Sequence, residues 1–282
     1  METILKTNRP ELKESSIKNY LSNLRSLYRN VFGDDRYLLD NFNDTAPILD
    51  YISQKPLPSQ HSILSYLFVL TGNPVYQQEM KRIKPSIVAQ VETREPVDEE
   101  HTTTPQEIKN IFKLLKKQSA EIYASGIYTK DTLLALQNTI LVALMGNLYI
   151  PPRRSMDYVE MLLNGKNDSK NYMEGDELVF NVYKTAKTYG QQRVKMPAPL
   201  KKLIDDYRQV SPYEYLFTGY HGKQLHSITP RLTELFGHPV GVNSMRRSST
   251  HQFEQFAEQQ PSVNKHMKGM GSSVAVLNHY CR

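Results

Sequence analysis

Between Ser15 and Phe32 the apolar residues Ile17, Tyr20, Leu21, Leu24, Leu27, Tyr28 and Phe32 recur at helical spacing, the pattern of an amphipathic helix. Lys18, Arg25 and Arg29 are distributed among them, and Gly33 ends the run. The same period returns over residues 45–53, 59–70 and 74–90, with Pro56, Pro58, Gly72 and Pro74 marking the turns. Residues 1–93 are therefore expected to form a small four-helix unit. The stretch VETREPVDEEHTTTP then loses the period, with two prolines among charged and hydroxylated residues. A linker is expected over 94–103.

Beyond it, Thr104 with Gln106 and Glu107 close behind resembles a helix start, and EIKNIFKLLKKQ continues with a basic face. The longest apolar stretch, TLLALQNTILVALMGNLYI, is interrupted by Gln137, Asn138, Thr139 and Asn147. It reads as a buried core helix over 130–149, stopped by Pro151 and Pro152, and not as a membrane span. From Glu177 to Pro197 the texture changes: ELVFNVYK and QRVKM alternate apolar and polar around TAKTYGQ, which predicts a β-hairpin inserted among helices. Helical patterns resume over 199–210, 227–236 and 242–258, and two short segments lead to Tyr280. The expected fold class is mostly α, with an N-terminal helical domain followed by an α+β domain, residues 104–282, that holds a small β-hairpin sheet. No internal repeat is visible.

Composition adds bounds. A chain of 282 residues suits about two domains, and 39% hydrophobic with 23% charged residues excludes wholesale disorder. The single cysteine, Cys281, excludes an internal disulfide and a cysteine-cluster metal site, and fits a reducing compartment. The N-terminus METILKTNRPELKESS has no apolar core of a secretory signal. The net charge of +6 points to an anionic partner, with nucleic acid foremost.

Most familiar chemistries lack their residues. YHGKQ has neither the preceding glycine nor the following Ser or Thr of a phosphate-binding loop, no G-x-S-x-G elbow occurs, and the eight histidines show no metal-ligand spacing. The carboxylates of Asp34 with Asp35, and of Asp98 to Glu100, lie in turn or linker contexts that read as solvated surface. No metal or cofactor is expected. The remaining features are basic. In IPPRRSMDY, Arg153 and Arg154 directly follow two prolines at a helix start, where the helix dipole repels cations, so a bound anion is implied. Lys184 and Lys187 occupy the hairpin tip beside Tyr189 and Gly190. In VNSMRRSSTHQF, Arg246 and Arg247 share a helix with Met245, Phe253 and Phe256, so one of them lies near the buried face, where an unpaired charge is costly. Tyr280, in MGSSVAVLNHYCR, is either a packing anchor or a nucleophile.

An arginine after the long buried helix, a lysine in a hairpin, a second arginine in a later helix and a tyrosine near the end together resemble the tyrosine recombinase (phage integrase) family. The resemblance runs from about Glu11 to Tyr280, with PPRRSMDY and MGSSVAVLNHY its more specific motifs. It implies a core-binding domain in residues 1–93 and a catalytic domain in 104–282. Arg154 matches the first arginine, because Asp157 stands where the family often has an acidic residue. Arg153 would then contact phosphate or support the pocket. Lys187 matches the lysine, with Lys184 in reserve, and Arg246 the second arginine. Asn243 occupies the place of the histidine in the family's His-x-x-Arg, Gly271-Ser272 replaces the final Gly-His, and Tyr280 matches the nucleophile.

The mechanism so implied is attack of the Tyr280 hydroxyl on a phosphodiester to form a 3′-phosphotyrosyl link, without metal or nucleotide. Arg154 and Arg246 would grip the non-bridging oxygens in bidentate fashion, and Lys187 would protonate the leaving 5′-oxygen. Asn243 cannot titrate and Ser272 offers one hydroxyl. Losing one preorganised donor costs about 2.7–4 kcal/mol, or about 10²–10³ in rate, so reduced activity is expected. The implied partner is double-stranded DNA, touched also by Lys18, Arg25, Arg29, Lys81, Arg82, Lys84, Lys184 and Arg247. Dimers or tetramers would assemble on it inside the cell, as in a mobile element or virus. Three alternatives stand beside this reading: a catalytically impaired DNA-binding member of the same fold, a type IB topoisomerase-like enzyme, and a helical adaptor that binds proteins.

Overall fold

A computed structural model describes residues 1–92, 103–219, 222 and 225–255. The chain divides into two compact units, Met1–Arg94 and Glu95–Arg282.

The first unit is helical: α1 (Glu2–Asn8), α2 (Glu14–Phe32), a 3-10 turn (Leu39–Asn43), α3 (Thr45–Ser53), α4 (Leu57–Thr71) and α5 (Pro74–Glu92). The four expected helices are present, with small shifts at their ends. α2 buries Ile17, Leu21, Leu24, Leu27 and Tyr28 and closes on Gly33 in the left-handed conformation, φ 69°, which glycine adopts without a Cβ clash. α4 starts earlier than expected because Pro58 falls in its first turn, where a missing N–H costs nothing. α5 runs on through Pro85. The hydrogen bond that Pro85 cannot donate belongs to the carbonyl of Lys81, on an exposed face where water can serve it. The sequence pattern did not predict α1, since Leu5 is its one fully buried residue. It is pinned instead by Asn8, whose side chain donates to the Val69 carbonyl at 2.8 Å.

The second unit opens with α6 (Pro105–Ser125), α7 (Lys130–Met145) and the single turn α8 (Ser155–Tyr158). Thr104 caps α6 by accepting from the Glu107 N–H at 3.1 Å, and Thr129 with Thr132 forms a capping box on α7. α7 is the core helix, buried at Leu133, Leu136, Gln137 and continuously from Thr139 to Met145. Its polar interruptions are bonded inside the core. Thr139 meets Ser119 of α6 at 2.7 Å. Gln137 donates to the hydroxyls of Tyr207 and Thr218 at 2.7 and 2.9 Å and accepts from Arg231 at 3.0 Å. The helix stops at Gly146, short of the expected 149. A Cβ there would lie 2.5 Å from Ile108 of α6 and 2.7 Å from the Val142 carbonyl, so glycine lets α6 and the end of α7 approach. Asn147, with φ 54°, then turns the chain away.

A sheet follows, with β1 (Tyr172–Glu174), β2 (Glu177–Phe180) and β3 (Gln192–Lys195) antiparallel in that order. Leu178 faces Val194, and Phe180 faces Gln192. Two features correct the plain hairpin. β1 is an added strand too short to carry an alternating signal, and the tip contains a helical turn, α9 (Ala186–Tyr189). The turn ends at Gly190, φ 64° and ψ −160°, a conformation essentially restricted to glycine. Helices α10 (Ala198–Val210), α11 (Thr229–Phe236) and α12 (Val242–Gln255) complete the described part. The architecture is mostly helical with one small antiparallel sheet. Among the described residues no helix is long and apolar enough to cross a membrane, and no group of three or more His, Cys, Asp or Glu residues could hold a metal ion.

Candidate functional site

The site is built on α8 and its approach. After Pro152 the chain leaves the α7 core, and Arg153 turns inward to become fully buried. Its Nε donates to Asp157 Oδ2 at 2.8 Å and its Nη1 to Gln192 Oε1 at 2.8 Å. The guanidinium carbon lies 3.9 Å from the centre of the Phe180 ring and 5.1 Å from that of Tyr183. Of the two roles the sequence left for Arg153, support of the pocket is the one that enclosure by an ion pair, an amide and two rings favours.

Arg154 is half-buried, in extended conformation as the cap residue of α8, with φ −73° and ψ 154°. One helical turn places Asp157 beneath it, and the Asp157 N–H donates to the Arg154 carbonyl at 3.0 Å. Burial pushes the Asp157 carboxyl upward from its ordinary range. The bonded Arg153 opposes this first, followed by the fields of Arg154 and Arg246. The carboxylate thus senses three guanidinium groups, two from the PPRR turn and one from α12. Arg246 is fully buried and Arg247 half-buried. Asn243, one turn before Arg246, is exposed.

Lys184 and Lys187 are both exposed on the connection between β2 and β3, with Lys187 in α9. In the first unit Lys18, Arg25 and Arg29 are exposed on one face of α2. With Glu2, Leu21 and Ser22 they line a shallow groove. The Lys6 ammonium, then more weakly Arg25 and Lys18, holds the Glu2 carboxyl below its ordinary value. Arg29 also pairs with Asp35 at 3.5 Å. Lys81, Arg82 and Lys84 are exposed on α5, Arg82 bonded to Glu79 at 2.7 Å. Gly271, Ser272 and Tyr280 lie outside the described residues.

Four supporting residues escaped the sequence reading: Asn171, Phe180, Tyr183 and Gln192. Gln192 carried a usable signal. It shares the face of β3 with Val194 and Met196, so a polar residue stands on the apolar side of an alternating strand.

This order of elements, with a small antiparallel sheet between the buried helix α7 and the arginine-bearing α12, is the fold of a tyrosine recombinase. Among solved structures the chain is similar to lambda integrase, residues 75–356, crystallised as a dimer bound to a COC′ core site. The TM-score is 0.55 at 18% identity, over 100% of this chain and 92% of that one. A second lambda integrase dimer bound to a COC′ core site gives a TM-score of 0.56 at 18% identity, over 100% of this chain and 75% of that one. No protein-family model matches the sequence, and no curated protein matches it.

Proposed function

We propose that the protein is a site-specific DNA recombinase that cuts and rejoins DNA through a 3′-phosphotyrosyl intermediate on Tyr280. The observation that carries this reading is a fully buried arginine, Arg246, on α12, in a chain that also holds Arg154 at the start of α8, one turn from buried Asp157, and has the lambda integrase fold. Attack by the Tyr280 oxygen on phosphorus forms the O–P bond as the 5′-oxygen leaves. The developing charge falls on the non-bridging oxygens, where planar guanidinium groups bind in bidentate fashion. Lys187, or Lys184, delivers the proton to the leaving oxygen. A 5′-hydroxyl from another strand reverses the step, and the stored phosphodiester energy is conserved. The bound form is double-stranded DNA carrying a dimer or higher oligomer, with the Lys18 and Arg25 face of α2 on the phosphate backbone.

A second reading, a DNA-binding protein of the same fold without strand transfer, is favoured by Asn243, which cannot exchange a proton. Nicked duplexes with randomised flanks separate the two, because departure of the short fragment beyond the nick traps any covalent adduct. An adduct resistant to denaturation, absent in Tyr280→Phe, is the expected result. Salt-sensitive binding without an adduct would favour the second reading. Relaxation of supercoiled plasmid lacking a preferred site would favour topoisomerase-like chemistry.

A further inference from the structure

The connection over 181–191 carries both candidate lysines on its exposed side, yet its two ends are tied to buried groups around Asp157. Phe180, the last residue of β2, lies under the Arg153 guanidinium, and Gln192, the first residue of β3, accepts from Arg153 Nη1 at 2.8 Å. Tyr183, inside the connection and buried, faces the same guanidinium and donates its hydroxyl to the Gly190 carbonyl at 2.6 Å, which closes the loop. Buried Asn171 adds a second tie. Its Nδ2 donates to the carbonyls of Asp157 and Val182, each at 2.8 Å, and its Oδ1 accepts from the Asn181 and Val182 N–H groups at 2.8 and 2.7 Å.

We propose that Arg153, backed by Asn171, is a positioning residue that locks the lysine-bearing connection to the turn carrying Arg154, so that general acid and phosphate-binding arginine move as one unit. Arginine suits the post for geometric reasons. Its planar fork reaches Asp157 in its own turn and Gln192 across the sheet while its central carbon stays 3.9 Å from the centre of the Phe180 ring, whereas lysine offers a point charge that can serve one partner well. A leucine could fill the space but could bond to neither end of the connection. Asp157 is shared by both ties, through its carboxylate to Arg153 and its backbone carbonyl to Asn171.

This inference rests on the strand-transfer reading for its chemical consequence but not for its structural content, and two measurements separate these. The first is amide hydrogen exchange on the full chain. In Arg153→Met, amides of 181–191 are expected to exchange about tenfold faster while those of α6 and α10 keep their protection. Unchanged exchange in the connection, or a uniform rise throughout the second unit, would overturn the tie. Gln192→Leu, which spares the Arg153–Asp157 pair, is the milder variant should Arg153→Met fail to fold, and should loosen the same amides.

The second compares cleavage of an ordinary phosphodiester with cleavage of one whose leaving 5′-oxygen is replaced by sulfur, a thiolate that needs no proton to depart at neutral pH. Misplacing a general acid costs about 10²–10⁴ in rate. The variant is therefore expected to lose about 10² or more on the oxygen substrate and to recover on the sulfur one, as Lys187→Ala should. Arg153→Lys should fall between. Equal losses on both substrates would refute the positioning role. If the wild type forms no adduct with either substrate, the strand-transfer reading fails, and hydrogen exchange alone decides whether the tie exists.

Discussion

The two units of the chain treat charge in opposite ways. In Met1–Arg94 the core is made of Leu24, Leu27, Phe42, Ile48, Leu67 and their neighbours, and its buried polar atoms are tyrosine hydroxyls. The Tyr76 hydroxyl donates to the Phe42 carbonyl at 2.6 Å, and that of Tyr28 accepts from Asn41 at 2.8 Å. Among the described residues of this unit, no Lys or Arg is buried. The second unit buries Arg153, Asp157, Arg231 and Arg246 along with Gln137 and Gln192. Taking guanidinium groups out of water costs free energy that an apolar core would not incur, so the second unit carries a burden that packing alone does not explain. Under the recombinase proposal the contrast would divide the work: exposed cations on the first unit would suit sequence-tolerant backbone contact, and the buried arginines of the second preorganised charge stabilisation.

Mutations that remove buried partners should break this contrast most visibly. Asp157→Ala leaves Arg153 enclosed without its carboxylate, and breaking a buried pair in this way costs about 3–5 kcal/mol. Urea unfolding of the full chain should show the transition of the second unit displaced while that of the first stays in place. In the first unit the comparable loss comes from apolar truncation. Leu67→Ala, at a fully buried position of α4, should cost about 2–5 kcal/mol and move only the other transition. Gln137→Leu is smaller, about 1–3 kcal/mol, because it removes the acceptor of the Thr218 N–H and one acceptor of the Arg231 guanidinium, which keeps its bond to the Thr218 carbonyl. Lys18→Ala with Arg25→Ala should leave folding untouched. Its effect should appear in DNA affinity, as a log–log salt slope shallower by about 0.9 for each phosphate no longer neutralised. Unfolding that moves both units together after Asp157→Ala would contradict the division of labour.

The helices were legible wherever burial was one-sided. The α2 stripe followed from spacing, since a helix with a dry face must repeat every three to four residues, whereas the Thr104 cap was read from its residue types and α7, buried on all sides from Thr139 to Met145, from its long apolar run. Two elements were not legible. α1 is too short to show a period and is held by its one fully buried residue, Leu5, and by a distant hydrogen bond from Asn8. β1 has only three residues, Tyr172 to Glu174, so alternation could not show. In the site, the choice between adjacent arginines illustrates the limit. The spacing to Asp157 singled out Arg154, but the inward rotation of Arg153 depends on Gln192, thirty-nine residues away. Sequence adjacency cannot reveal such a partner. The exposure of Asn243 beside the fully buried Arg246 follows from the rotation of α12 about its axis, which packing on α7 determines.

The central claim, that the arginine frame serves a tyrosine nucleophile, is tested most directly by locating the bond. DNA trapped on a nicked substrate should be digested with nuclease and protease, and the modified peptide identified by mass spectrometry. The account predicts a nucleotide phosphate on the peptide containing Tyr280, lost in Tyr280→Phe and strongly reduced in Arg154→Ala. A phosphate on any other residue, or an adduct that persists in Tyr280→Phe, would contradict it.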